Sequence, residues 1–199
     1  MANQIVVPGE MLSQKPLRMR GAYIENGKTY ADVIGAWDEP REKFIPLESI
    51  YLPEVGDAVL GVVEEERIIG YSVELGSPYK GLLFSRGLRT RFAPRDIVYS
   101  EIMEVSEVKD VILSRPRRLI GGKMIYVSPA KISRIIGKRS SMVEMISQMT
   151  RCEIFVGRNG AIWLRGEKVQ KAIDAIMKIE KEAHTSGLTD RIQRFLSSN

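Results

Sequence analysis

The sequence predicts a mostly β chain that closes with an α+β segment. Two observations carry that reading. Short apolar runs bounded by Gly, Pro and Asn fill the first two thirds of the chain, and runs of that length with turn residues between them read as strands. Helical periodicity emerges in the last third, where Val169, Ala172, Ile173, Ile176 and Met177 recur at the spacing of one helix face. With 199 residues and 44% hydrophobic content the chain can bury a sizeable core, and at 7% aromatic that core must be mainly aliphatic.

Three segments follow: 1–52, 53–114 and 115–199. The first is a small β domain. Its clearest element is Tyr23-Ile24-Glu25-Asn26-Gly27-Lys28-Thr29-Tyr30, because Asn-Gly between β-prone runs supplies the two positive φ angles of a type I′ hairpin turn. The second carries Ala58–Val63, Ile68–Leu75, Gly81–Phe84, Ile97–Met103 and Val108–Leu113 as short strands. Five strands in so few residues fit a small OB-type barrel. The third opens on a proline-broken basic linker, Ser114-Arg115-Pro116-Arg117-Arg118. Lys123–Val127 is its first strand, and Ser128-Pro129 starts a short helix to Ile136 as N-cap and first helical position. Ser141-Met142-Val143-Glu144 reads as a capping box for a second helix to about Met149. Cys152–Val156 and Ala161–Leu164 form a hairpin around Gly157-Arg158-Asn159-Gly160. A long helix follows, ended by Gly187, and Thr189–Leu196 adds a short one. The order of this segment is β-α-α-β-β-α.

Charge is unevenly spread. Residues 1–79 hold 7 basic and 13 acidic side chains, residues 80–199 hold 23 and 12, and the stretch 115–171 holds 13 and 3. A block so one-sided points to a polyanionic partner. Other chemistries lack their residues. The one cysteine, Cys152, excludes an intrachain disulfide and a cysteine zinc site, and opens a strand as a buried residue. The one histidine, His184, sits at a helix end rather than in a triad. No cofactor is expected and no catalytic residue. Asp38-Glu39 and Glu64-Glu65-Glu66 are the only candidate magnesium ligands for a nuclease, and both read as exposed turns outside the basic region. No apolar run reaches the roughly 20 residues of a membrane span, and the start of the chain has no signal-peptide pattern, so a soluble cytoplasmic protein is expected.

The helix–loop–helix around Ile135-Ile136-Gly137-Lys138-Arg139-Ser140, followed by a hairpin and a long helix, resembles a KH domain. In that family a Gly-X-X-Gly loop clamps single-stranded nucleic acid by offering backbone N–H groups at a helix start. Ser140 stands where the second glycine is expected, so the loop is expected to bind more weakly and with less base preference. Val55-Gly56-Asp57-Ala58-Val59-Leu60-Gly61-Val62-Val63 and Ser77-Pro78-Tyr79-Lys80-Gly81-Leu82-Leu83 resemble strands of the RNA-binding OB domain of the ribosomal S-one type. Gly157-Arg158-Asn159-Gly160, the opening Val6-Val7-Pro8-Gly9-Glu10 and the tail Glu182–Ile192 resemble the RNA-binding cap subunits of the archaeal exosome, in the S-one plus KH form; a single cysteine excludes the form with a zinc ribbon.

The resemblance implies a non-catalytic subunit. It would sit in a three-membered ring, alone or mixed with other cap subunits, on a hexameric RNase PH-like core. The N-terminal domain would dock, and single-stranded RNA would pass to a central pore. The candidate RNA-binding residues are Lys80, Arg86, Arg89, Arg91 and Arg95 on the barrel, and Arg134, Gly137, Lys138, Arg139 and Arg158 on the KH segment. Tyr71, Tyr79, Phe84 and Phe92 are candidate stacking residues. The alternative is a free-standing RNA chaperone or translation factor with the same two domains.

Overall fold

The computed structural model describes residues 4–19, 21–46, 51–76, 78–88, 90–106, 110–183 and 187–197. Two compact units emerge: Met1–Ile50 with Ser128–Ala130, and Tyr51–Val127 with Lys131–Asn199.

The first unit pairs six short strands into two three-stranded sheets. Strands β1 (Gln4–Val6), β5 (Gly35–Asp38) and β6 (Lys43–Pro46) form one in the order β1-β5-β6. Strands β2 (Met11–Ser13), β3 (Ala22–Glu25) and β4 (Lys28–Ala31) form the other in the order β2-β4-β3. The β3–β4 turn is the expected one, with Asn26 at φ 50° and Gly27 at φ 75°. Val6, Leu12, Ala31, Trp37 and Phe44 make the core. Thr29, fully buried, donates its hydroxyl to the Lys15 carbonyl at 2.7 Å and accepts the Leu17 N–H at 2.8 Å, which ties the irregular chain after β2 to β4.

The second unit begins with a closed barrel of β7 (Ala58–Arg67), β8 (Gly70–Glu74), β9 (Lys80–Phe84), β10 (Ile97–Val105) and β11 (Asp110–Leu119). β9 and β11 run parallel; β7–β8, β8–β9, β10–β11 and β7–β10 are antiparallel. This is the OB connectivity expected, closed so that no edge stays open. Val59, Val63, Val73, Leu83, Val98, Ile102 and Val111 fill it. The strands outrun their apolar cores, and β11 most of all. Ser114–Arg118, expected as a linker, is strand. The proline is accommodated because the β10–β11 register slips between Tyr99/Arg117 and Glu101/Ser114, with Arg115 at φ 49°; a bulge releases Pro116 from a ladder hydrogen bond it could not donate.

The KH segment follows the expected order. β12 (Lys123–Tyr126), β14 (Ala161–Gly166) and β13 (Cys152–Val156) form an antiparallel sheet in the order β12-β14-β13. A 3-10 turn at Pro129–Lys131, α1 (Ile132–Ile136), a second 3-10 turn at Lys138–Ser140 and α2 (Ser141–Thr150) lie between β12 and β13. α3 (Val169–Glu182) and α4 (Leu188–Ser197) complete the chain. Ile132, Ile135, Ile146, Ile162, Leu164, Ile176, Ile179 and Ile192 form the aliphatic core, and Cys152 is buried within it, as expected. α3 ends at Glu182, and Gly187, at φ 68°, opens α4 rather than closing α3. The helical chain starts at Pro129, directly after Ser128, as a 3-10 turn that runs on into α1, whereas the capping box expected at Ser141 does not form: the α2 N-cap is Ser140, with no side-chain capping bond. His184 lies outside the described residues.

Candidate nucleic-acid interface

The loop between α1 and α2 is built by three unusual backbone conformations. Gly137 has φ 77°, and a Cβ there would lie 2.7 Å from the Met142 backbone nitrogen, so only glycine fits. Arg139 and Ser140 follow at φ 52° and φ 64°. A left-handed non-glycine residue costs about 1–2 kcal/mol. The second family glycine therefore has a conformational reason, and Ser140 occupies its place under strain. Arg134, Lys138 and Arg139 are exposed, and none has an ion pair among the described residues. Beside the loop lies an open groove of about 680 Å³, walled by Arg134, Gly137, Lys138 and Met142 on one side and by Leu188 and Asp190 of α4 on the other.

On the barrel, Arg86, Arg91 and Arg95 are exposed in the connection between β9 and β10, and they too lack ion pairs among the described residues. Arg89 lies outside the described residues. Arg95 is held at φ 74° by its N–H bond to the Val63 carbonyl at 2.8 Å. Lys80 opens β9 with its ammonium 3.7 Å from Glu64, so its charge is partly answered. The aromatic candidates divide. Tyr71 and Phe92 are buried and meet edge to face at 5.5 Å inside the barrel, which removes them as stacking platforms. Tyr79 packs half-buried against the same core, while Phe84 is exposed beside the Ile68-Ile69 turn.

The basic block is less available than its composition implies. Arg115 pairs with Glu101 at 2.8 Å, Arg118 with Asp96 at 2.8 Å, and Arg117 and Arg165 share Glu153 at 3.0 and 3.1 Å. Arg117 also stacks over Phe155 and Arg165 over Trp163. Two of these acids, Asp96 and Glu101, come from the barrel, so counting charges within 115–171 could not find them. Three of the five magnesium candidates are engaged with cations, Asp38 with Arg41, Glu64 with Lys80 and Glu65 with Arg67, and Glu64-Glu65-Glu66 lie in strand β7 rather than in the expected turn. Among the described residues, no three His, Cys, Asp or Glu side chains converge on a metal-sized site.

Asn159, expected at a hairpin turn and within a motif that resembles the exosome cap subunits, joins the KH hairpin to the barrel. Asn159 is 5% exposed. Its amide Nδ2 donates to the Leu60 and Leu75 carbonyls, both at 2.7 Å, and its Oδ1 accepts the Leu60 N–H at 3.2 Å. The KH hairpin thus plugs into the barrel wall. Gly157 permits the approach, since a Cβ there would meet the Leu60 nitrogen at 2.8 Å. Arg158, counted as an RNA-binding candidate, sits at this joint: its N–H donates to the Ala58 carbonyl at 2.8 Å and its guanidinium lies 4.0 Å from Asp57. Leu60, Leu119, Ala161 and Trp163 seal the seam, with Tyr99 and Phe155 in ring contact at its edge. Burial there, and then Glu101, push the Tyr99 phenol above its ordinary range.

The KH domain family matches residues 122–170, the span from β12 to the start of α3. The exosome complex component Rrp4 of Methanothermus fervidus is 38% identical over 96% of this chain and 94% of its own length. The chain belongs to the Rrp4 family of exosome components. The Rrp4 protein of Pyrococcus furiosus is also 38% identical, over 98% of this chain and 83% of the relative. A crystal structure described as an exosome complex RNA-binding protein superposes with a TM-score of 0.64 at 31% identity, covering 74% of this chain and 95% of that one. Rrp4 membership agrees with the barrel and KH architecture. Among the described residues no helix is long and apolar enough to cross a membrane.

Proposed function

We propose that this chain is a non-catalytic RNA-binding cap subunit of the exosome, the complex that degrades and tails RNA from its 3′ end. The observation that carries the reading is a pair of basic surfaces with no ion pair among the described residues, Arg86, Arg91 and Arg95 on the barrel and Arg134, Lys138 and Arg139 on the KH loop, within one compact unit joined by Asn159. Mobile phosphates are attracted wherever cations lack a fixed acid, and a strand held by its backbone can slide without regard to sequence. Lys80, Arg89, Gly137 and Arg158 belong to the same proposed surface, Arg158 at its joint. The first unit, which carries no basic excess (6 basic and 7 acidic side chains in residues 1–50), is the docking surface for a hexameric RNase PH-like core in the cytoplasm, on which three cap subunits, alike or mixed, would surround the pore.

Co-purification tests the assembly. The chain is expected to elute with an RNase PH-like hexamer and to raise its degradation of single-stranded RNA. Failure to associate, with RNA binding intact, would favour a free-standing RNA chaperone or translation factor instead. RNA cleavage by the purified chain alone with a divalent metal would overturn the non-catalytic assignment.

A further inference from the structure

A groove of about 680 Å³ separates the α1–α2 loop from α4. Its walls differ in chemistry. The loop side presents two cations, Arg134 and Lys138, that have no acidic partner among the described residues, together with the backbone turn at Gly137. The facing side is the first turn of α4, where Thr189 and Asp190 are both exposed and both line the groove. A carboxylate is a poor neighbour for a phosphate. It only accepts hydrogen bonds, so a nucleic-acid strand can lie there only with a neutral donor turned toward it.

We infer that Asp190, assisted by Thr189, reads the ribose 2′-hydroxyl of a strand whose phosphates lie on Arg134 and Lys138, and so makes the groove select RNA over DNA. This rests on the RNA-binding reading above and adds to it. A base edge would also offer donors. Reading a base, however, would impose a sequence preference on a surface otherwise built to hold only the backbone, whereas every nucleotide of RNA carries the same 2′-hydroxyl, donor and acceptor both. The arrangement divides the work: cations on the loop supply affinity, and the acid on α4 supplies discrimination. DNA, lacking the donor, leaves Asp190 facing a strand with no compensation.

The test uses the full chain and four labelled oligonucleotides of mixed sequence: RNA, DNA of the same sequence, 2′-O-methyl RNA, which keeps the ribose conformation but loses the donor, and RNA of a permuted sequence. Affinities are read by fluorescence anisotropy for the parent chain, Asp190→Asn and Lys138→Gln, with thermal melts to show that each variant is folded. The parent chain should bind RNA about tenfold more tightly than DNA, with 2′-O-methyl RNA close to DNA, since one hydrogen bond to a charged group is worth about that factor. Asp190→Asn should collapse the RNA-to-DNA ratio severalfold, while Lys138→Gln should weaken RNA and DNA together and leave the ratio in place. Equal binding of RNA and DNA by the parent chain, or an unchanged ratio in Asp190→Asn, overturns the inference and leaves RNA binding standing. A ratio that instead follows the permuted sequence assigns Asp190 to a base and also overturns it. No binding of any strand removes both readings.

Discussion

Asn159 and Ser140 show how much one side chain decides. The Asn159 amide replaces three hydrogen bonds that water would otherwise make, in a place water does not reach. Asn159→Ala should cost about 2–4 kcal/mol, because two buried carbonyls and an N–H are left without a partner. Urea unfolding measures this, and the barrel and KH segments are then expected to unfold in separate transitions rather than one. Ser140→Gly acts in the opposite direction. Glycine relieves a left-handed residue at φ 64°, so a gain of up to about 1 kcal/mol in stability is expected, with tighter single-stranded RNA binding as the Cβ leaves the phosphate path. A lower melting temperature in that variant would show the serine hydroxyl to be needed. Gly137 and its basic neighbours were legible in the sequence, since glycine beside Lys-Arg at a helix junction has few uses. Asn159 was not, because its partners stand 84 and 99 positions away and nothing local marks them.

The joint between α3 and α4 is an electrostatic clip. Glu182 accepts from Arg191 at 2.8 Å and lies 3.6 Å from Lys178, whose ammonium also covers the Phe195 ring. The Arg191 hydrogen bond, with Lys178 nearby, holds the Glu182 carboxyl below its ordinary range. A depressed carboxylate contributes stability that is present above its unfolded pKa and lost as pH falls through the lower folded value. Docking of α4 should therefore weaken below the ordinary carboxylate range. Hydrogen exchange of α4 amides reports it: Glu182→Gln is expected to raise exchange at neutral pH and to match the parent chain in acid. Because α4 walls the groove, the same variant should blur nucleic-acid discrimination at neutral pH. Element by element, the strands were readable from apolar runs and turn residues, whereas the extension of β11 through Pro116 was not. A proline inside a basic run reads as a break until the facing strand shows the bulge that accommodates it.

For the whole molecule, charge is the quantity that sequence counts and structure redistributes. Changing Arg86, Arg89, Arg91 and Arg95 together to Ala should weaken single-stranded RNA binding and reduce the salt slope by up to about 0.7 for each phosphate no longer neutralised. Changing Arg115 and Arg118, whose charges are met by Glu101 and Asp96, should move that slope much less. Equal effects from the two sets would mean that the ion pairs open for RNA. Sequence alone determined the fold class, the domain order and the basic character of the second half, because periodicity, turn chemistry and net charge are local or summed properties. Only the tertiary structure decided which arginines are met by acids, that Tyr71 and Phe92 are core, that Asn159 joins barrel to KH hairpin, and that α4 faces the Gly137-Lys138 loop. Each of those depends on residues distant in the chain meeting in space, and pairing across such distances is set by how whole elements pack.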